Sequence, residues 1–322
     1  MRNKNNEPRS GCSMLIGCGS LAMISAVIFF ILMASALSDY ASEIYARSHN
    51  MEDYTAYVQS ITPAIYSAVE GFYRNNYLNA MIYAAQIVVL FIVFKLIYKR
   101  PVSQMGLSGR HWAKFMGLGC LAGFAAISLY ALIAYISGIA VFSDFTPSNL
   151  ATVDMFTSFV FFIGVGFYEE ILFRGFFMTI LKTVRKKWVI IAVPAVIFGF
   201  MHLPNPNASF IGVVNVILIG LVFAYMFIRT GSLWMPIGYH IIWNFFQGNI
   251  YGIQVSGMDK MPALMKYAAA GPDILTGGEF GAEGGLICTA ITLIILAYIR
   301  FSFNIKEPPE WALDGDLPFN TR

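Results

Sequence analysis

Eight apolar stretches, most of them close to twenty residues long, recur along this chain and decide the solvent in which it folds. They run roughly over 13–37, 77–98, 115–142, 155–181, 188–203, 209–228, 232–252 and 284–301. A helix needs about 20 mostly apolar residues to cross a ~30 Å hydrocarbon core. In lipid only helices and closed barrels pair every backbone polar group internally. Charged residues make up 12% of the 322 positions, against about 25% in soluble domains. The expected fold is an all-α integral membrane protein, a bundle of about eight transmembrane helices. The fifth stretch is the shortest.

Lysines and arginines orient such a bundle, because cytoplasmic loops carry their excess. With the N-terminus inside, Arg2, Lys4, Arg9, Lys99, Arg100, Arg110, Lys114, Lys182, Arg185, Lys186, Lys187, Arg229, Arg300, Lys306 and Arg322 fall on one side. Lys95 joins them by snorkelling from the end of the second stretch. The opposite side holds only Arg47, Arg74, Lys260 and Lys266, together with 11 acids from Asp39 to Glu283. The expectation is a multi-pass cell-membrane protein with both termini cytoplasmic. The net charge of +3 is a topology signal and implies no nucleic-acid partner. The first apolar stretch exceeds the ~7–15 residues of a signal-peptide core, so an uncleaved anchor is expected. Cys12, Cys18, Cys120 and Cys288 lack CxxC spacing and read as small apolar fillers.

The chain divides into three regions. Residues 1–150 hold the first three spans and an external polar segment at 38–76. Residues 151–252 form a helical core, and 253–322 hold an external Gly-rich stretch, the last span and a cytoplasmic tail. The Gly-rich stretch reads as a connector, with a lid as the alternative. Gly119 and Gly123 have the GxxxG spacing of a helix-packing face. Asn207-Ala208-Ser209 is a glycosylation sequon in a loop too short and too near the membrane for it to carry weight.

Against this apolar background, Glu169, Glu170 and Arg174 stand near the middle of the fourth stretch. Each charge costs at least ~2.5–3.5 kcal/mol at a helix centre. Glu170 and Arg174 are one turn apart and share a face, so a bidentate ion pair can lower the cost of both. Glu169 points ~100° away and has no partner on its own helix. Two of the four histidines, His202 and His240, also fall inside spans, and Asn244 lies one turn beyond His240. Pro236, a turn before His240, frees the carbonyl of Ser232 and suggests a kink. At ~1.5 Å per residue from the cytoplasmic ends, Glu169 lies ~18 Å deep, His202 ~21 Å, His240 ~12 Å and Asn244 ~18 Å. One buried site can therefore hold them all.

Plainer readings compete. Glu170 and Arg174 serve equally well as a structural pair that fixes helix packing. A lone intramembrane histidine or asparagine is ordinarily an interhelical hydrogen bonder. Phe198, one turn before His202, reads as a packing residue on the site wall. The bland account weakens only because the orphan Glu169 shares its depth with both histidines.

Glu169-Glu170-x-x-x-Arg174, Phe198-x-x-x-His202 and His240-x-x-x-Asn244, in this order on successive spans, resemble the CPBP family of intramembrane proteases. That family includes type II CAAX prenyl endopeptidases and bacterial Abi-type proteins. The likeness covers roughly 155–250. It implies that Glu169 is the general base on the attacking water and that His202 helps hold that water. His240 and Asn244 would stabilise the oxyanion, with Glu170 and Arg174 as the structural pair.

The resemblance leaves the metal open. No HExxH occurs, and a metal-free, glutamate-activated water is favoured. Glu169, His202 and His240 nevertheless form a respectable zinc set. The implied function is hydrolysis of a peptide bond in a membrane-associated peptide or protein, CAAX-type processing being one form of it. A transporter or proton relay would also place Glu and His within the membrane, although it would usually show paired repeats. A catalytically silent scaffold or immunity factor is the other alternative. The sequence does not fix the substrate or the oligomeric state.

Overall fold

The computed structural model describes residues 75–99, 101–109, 111–184, 186–258 and 261–303. The expected first span, nearly all of the external polar segment and most of the C-terminal tail lie outside the described residues.

Among the described residues, seven long helical segments succeed one another. Helix α1 (Asn76–Tyr98) starts at Asn75, whose side chain accepts from the Leu78 amide, and stops where Lys99 turns left-handed. Helix α2 covers Trp112–Ile136. Helix α3 starts at Val153 under a Thr152 cap and is regular to Glu170. It widens into a π-turn over Ile171–Phe177 and closes with Met178–Leu181. Helix α4 is Lys187–Phe200. Helix α5 is Phe210–Thr230, capped by Ser209 and ended by left-handed Gly231. Ser209 is also the serine of the sequon, and here it serves the helix start. Helix α6 is Trp234–Phe245, extended by a π-turn over Phe246–Ile250. Helix α7 runs Leu286–Ala297 and is extended over Tyr298–Ser302.

Among the described residues, four helices (α1, α2, α3 and α5) are long and apolar enough to cross a bilayer unaided. Helices α4 and α7 are apolar but shorter. The chain is thus a mostly helical membrane protein.

The fold departs from an all-helical one at the end of the third apolar stretch. Helix α2 ends at Ile136, and Gly138 takes a positive φ of 73°. Residues Ala140–Ser143 then form strand β1, antiparallel to strand β2 at Lys266–Ala269, with Ala140 opposite Ala269. Left-handed geometry suits glycine and breaks the helix. The β-favouring Ile-Ala-Val-Phe run after it finds a partner far along the chain, a pairing no local pattern reveals.

Pro236 makes no kink. It lies in the first turn of α6, where its missing N–H costs nothing. The Ser232 carbonyl instead accepts from the Thr230 hydroxyl at 2.9 Å.

Helices pack in close pairs: α1 with α3, α2 with α6, α4 with α5, and α5 with α7. Gly119 and Gly123 are the α2 side of its contact with α6. A Cβ on Gly119 would lie 2.0 Å from the Met235 carbonyl oxygen, and one on Gly123 2.5 Å from that of Tyr239. The GxxxG spacing is therefore a packing face, as expected.

Candidate active site

Helix α3 supplies the two glutamates, and the turn between them and Arg174 is where the helix widens. π-turns of this kind recur at functional sites. Glu170 and Arg174 are buried, with Arg174 Nη1 donating to Glu170 Oε1 at 2.8 Å. The pair is single-pronged, not bidentate as the sequence suggested. The second guanidinium nitrogen, Nη2, turns away to the Gly220 carbonyl of α5 at 3.1 Å. Gly220 leaves it room, because a Cβ there would stand 3.3 Å from Nη2. The guanidinium also lies over the rings of Phe198 and Phe223, 4.6 and 5.1 Å from their centroids. Aromatic faces lower the cost of a buried cation.

His240 joins the two glutamates. Its Nδ1 is 3.1 Å from Glu170 Oε1, and its Nε2 is 3.7 Å from Glu169 Oε2. One imidazole therefore stands between the carboxylate that is paired with Arg174 and the one that is not. Its ring stacks on Phe223 at 5.2 Å, which fixes its plane. Glu169 Oε2 has no hydrogen-bond partner, yet the side chain is 19% exposed, against 0% for Glu170. Helix neighbours of identical chemistry thus occupy different surroundings.

His202 sits just past the end of α4. Its Nδ1 is 2.8 Å from the Phe198 carbonyl, which assigns the proton to Nδ1 and leaves Nε2 as the free nitrogen. Glu169, His202, His240 and Asn244 all line one cavity of about 220 Å³, and Phe198 forms part of its wall. Four groups from three sequence motifs thus meet in one space.

The same cavity has residues the motifs did not point to. Glu283, in the turn Ala282–Gly284 just before α7, lines it and is buried. Three donors converge on this carboxyl: Gln247 Nε2 at 2.6 Å, and Trp243 Nε1 and the Ser256 hydroxyl at 3.4 Å each. Burial pushes the Glu283 carboxyl above the ordinary range, and these hydrogen bonds oppose the rise. Asn215 of α5 holds the same turn by donating to the Glu283 and Gly285 carbonyls at 2.7 and 3.0 Å. Asn205 and Ser256 complete that rim, with Asn205 Nδ2 donating to the Ser256 carbonyl at 2.9 Å. The Gly-rich stretch is therefore packed into the bundle, and it is more than a connector. A sequence signal for part of this existed. Gln247 follows His240 by seven residues and Asn244 by three, so all three share a helix face. Glu283, flanked by Gly281, Gly284 and Gly285, looked like an ordinary loop acid.

The histidines hold their outward nitrogens as metal ligands do, each with Nδ1 engaged by a carbonyl or carboxylate. Among the described residues, however, no three His, Cys, Asp or Glu side chains are grouped closely enough to hold one ion.

Residues 151–246 match a family model described as type II CAAX prenyl endopeptidase Rce1-like. This segment is Rce1-like. No curated protein and no solved structure matches the chain. The Rce1-like segment runs from just before α3 to the end of regular α6, and so contains Glu169, Glu170, Arg174, His202, His240 and Asn244. The CPBP resemblance is thereby found again over this segment of the chain. Glu283 lies outside the Rce1-like segment.

Proposed function

We propose that the protein is an intramembrane endopeptidase in which Glu169 activates the attacking water. The observation that carries this reading is the split between adjacent glutamates. Glu170 is fully buried with its Oε1 shared by Arg174 and His240, whereas Glu169 is 19% exposed and lines a cavity with His202, His240 and Asn244.

Peptide hydrolysis needs a base on water and donors for the charge that develops on the carbonyl oxygen. The Glu169 carboxylate takes a proton from water as the hydroxide oxygen bonds to the scissile carbonyl carbon. The C=O pair moves onto oxygen, where Asn244 Nδ2 donates to it. His240, held through Nδ1 against Glu170 Oε1, presents Nε2 to the cavity beside that oxygen. His202, with Nδ1–H on the Phe198 carbonyl, offers Nε2 as an acceptor for the water. When the tetrahedral adduct collapses, the C–N bond breaks and Glu169 returns its proton to the leaving amine. The carboxylate is regenerated and the balance is one water consumed per bond.

The substrate is a membrane-associated peptide or protein, and the Rce1-like match favours CAAX-type processing as the form of cleavage. The decisive experiment compares cleavage of a fluorogenic peptide by purified wild type and Glu169→Gln. Loss of cleavage in a folded variant is expected, and retained cleavage would remove Glu169 from the mechanism. Thorough chelation should leave wild-type activity largely intact. Activity lost on chelation and restored by one equivalent of zinc would make Glu169, His202 and His240 ligands instead.

A further inference from the structure

We propose that the Tyr83 hydroxyl, which helix α1 brings to the cavity from outside the Rce1-like segment, holds the attacking water beside Glu169. The assignment rests on the protease reading and deepens it.

Helix α1 is turned toward α3 by its own spacing. Asn76, Ala80 and Tyr83 follow one another at steps of four and three residues, which puts them on one helix face. All three meet α3. Asn76 Nδ2 donates to the Ser158 hydroxyl at 3.3 Å. Gly164 receives the other two, since a Cβ there would lie 3.4 Å from the Ala80 Cα and 3.2 Å from Tyr83 Cδ2. With no side chain at Gly164, the tyrosine ring comes close to the α3 backbone.

Two further rings fix its plane. Tyr168, the residue before Glu169, stacks on Tyr83 with centroids 5.2 Å apart and planes 24° from parallel. Phe161 meets it at 6.0 Å, above Glu169 in the direction of Val153. So braced, Tyr83 lines the same cavity as Glu169, His202, His240 and Asn244.

The hydroxyl itself is uncommitted. A phenol inside a span ordinarily finds a hydrogen-bond partner, because an unpaired polar group is costly there. Tyr130 donates to the Thr276 carbonyl, and Tyr251 donates to the Ser128 hydroxyl at 2.8 Å. Among the described residues no group hydrogen-bonds the Tyr83 hydroxyl, and the charge it feels is that of Glu169. A fixed donor beside the general base, facing the cavity, is placed to serve what enters the cavity.

The chemistry of the nucleophile supplies the role. A water molecule has two protons to donate and two lone pairs. In the proposed reaction its protons face the Glu169 carboxylate and His202 Nε2, and one lone pair is aimed at the scissile carbon. The second lone pair needs a donor. Neither the carboxylate nor the acceptor nitrogen of His202 can provide one, whereas a tyrosine O–H can. Tyr83 keeps its proton throughout, so the balance stays at one water consumed per bond.

Tyr83→Phe tests this, because it removes the hydroxyl and keeps the ring that packs on Gly164, Phe161 and Tyr168. Single-turnover cleavage of the fluorogenic peptide, with enzyme in saturating excess, reads the chemical step. Its rate constant is independent of how much of the preparation is folded. It should fall by roughly 3–10-fold, the worth of one neutral hydrogen bond, with KM and the melting temperature unchanged. A wild-type rate constant, or a loss seen only as a raised KM, would overturn the proposal. Glu169→Gln run beside it separates the two assignments. An inactive Glu169→Gln with a fully active Tyr83→Phe removes Tyr83 alone. Undiminished cleavage by Glu169→Gln removes the glutamate-activated water, and the role of Tyr83 with it.

Discussion

The half of helix α3 above Glu169 and the half below it are built from similar residues and behave as different media. Below, Arg174 is enclosed by Phe173, Phe198 and Phe223 and spends its donors on Glu170 and the Gly220 carbonyl. Above, Phe161, Val165 and Tyr168 border open space shared with His202, Asn244 and Glu283. Aromatic side chains line both halves, so hydrophobicity does not separate them. What differs is whether the polar groups reach open space. A charge pair closed off by aromatic rings is a plug, and a carboxyl that lines a cavity is a place where chemistry can occur.

The strongest way to break this contrast is to neutralise the upper glutamate. Glu169→Gln should keep the fold and lower cleavage by roughly 10²–10⁴-fold, the usual worth of a general base, measured on protein of unchanged melting temperature. An active Glu169→Gln would mean that the two glutamates have been assigned the wrong way round. The lower glutamate should fail differently. Glu170→Gln leaves Arg174 charged and unpaired, a loss of about 3–5 kcal/mol in buried settings. Thermal melting in detergent should show the drop, with activity following the amount of folded protein. Adding Arg174→Met to Glu170→Gln removes both charges and should recover part of the lost stability. If the double variant melts no higher than the single one, the plug is held by something other than charge balance.

Glu283 gives the smallest effect and the sharpest comparison, because it lines the same cavity as Glu169. Burial raises it, so the folded state prefers the neutral acid. A raised carboxyl contributes stability that is fully present below its unfolded value and is lost as pH climbs through the folded one. Glu283→Gln is always neutral, although its amide N–H₂ fits poorly among the donors of Gln247 and Trp243. The variant should be less stable than wild type by a margin that narrows as pH rises from about 4 to neutrality. Melting curves of both proteins across that range read the difference. A deficit that widens with pH would show that the three donors outweigh burial.

Much of this was legible from the residues. The apolar stretches match the helices α1 to α7 to within a few positions except at the end of α2, because lipid leaves the backbone few alternatives. Glu170 with Arg174 was readable because an i, i+4 pair is a local fact. The orphan state of Glu169 was equally readable, but the position of His240 between both carboxylates was not. That depends on the rotation of α6 against α3, which side-chain packing sets. Glu283 was invisible for a related reason. Its burial is created by Asn215, Gln247 and Trp243, which stand between 36 and 68 residues away. Strand β1 hid behind a continuous apolar run, in which helix and strand read alike.

The widened turn at Ile171–Phe177 has a consequence for the whole helix. Regular α-helix advances ~100° per residue, and a π-turn closes its bonds one residue later, i to i+5. The sequence before Glu170 and the sequence after Phe177 are therefore written in two angular frames, offset by about one residue's rotation. In a single frame, the stripe of α3 that faces α1 and the cavity would wind out of alignment with the stripe that faces the plug. Helix α3 serves both because it changes phase between them, and the change comes directly after its two glutamates.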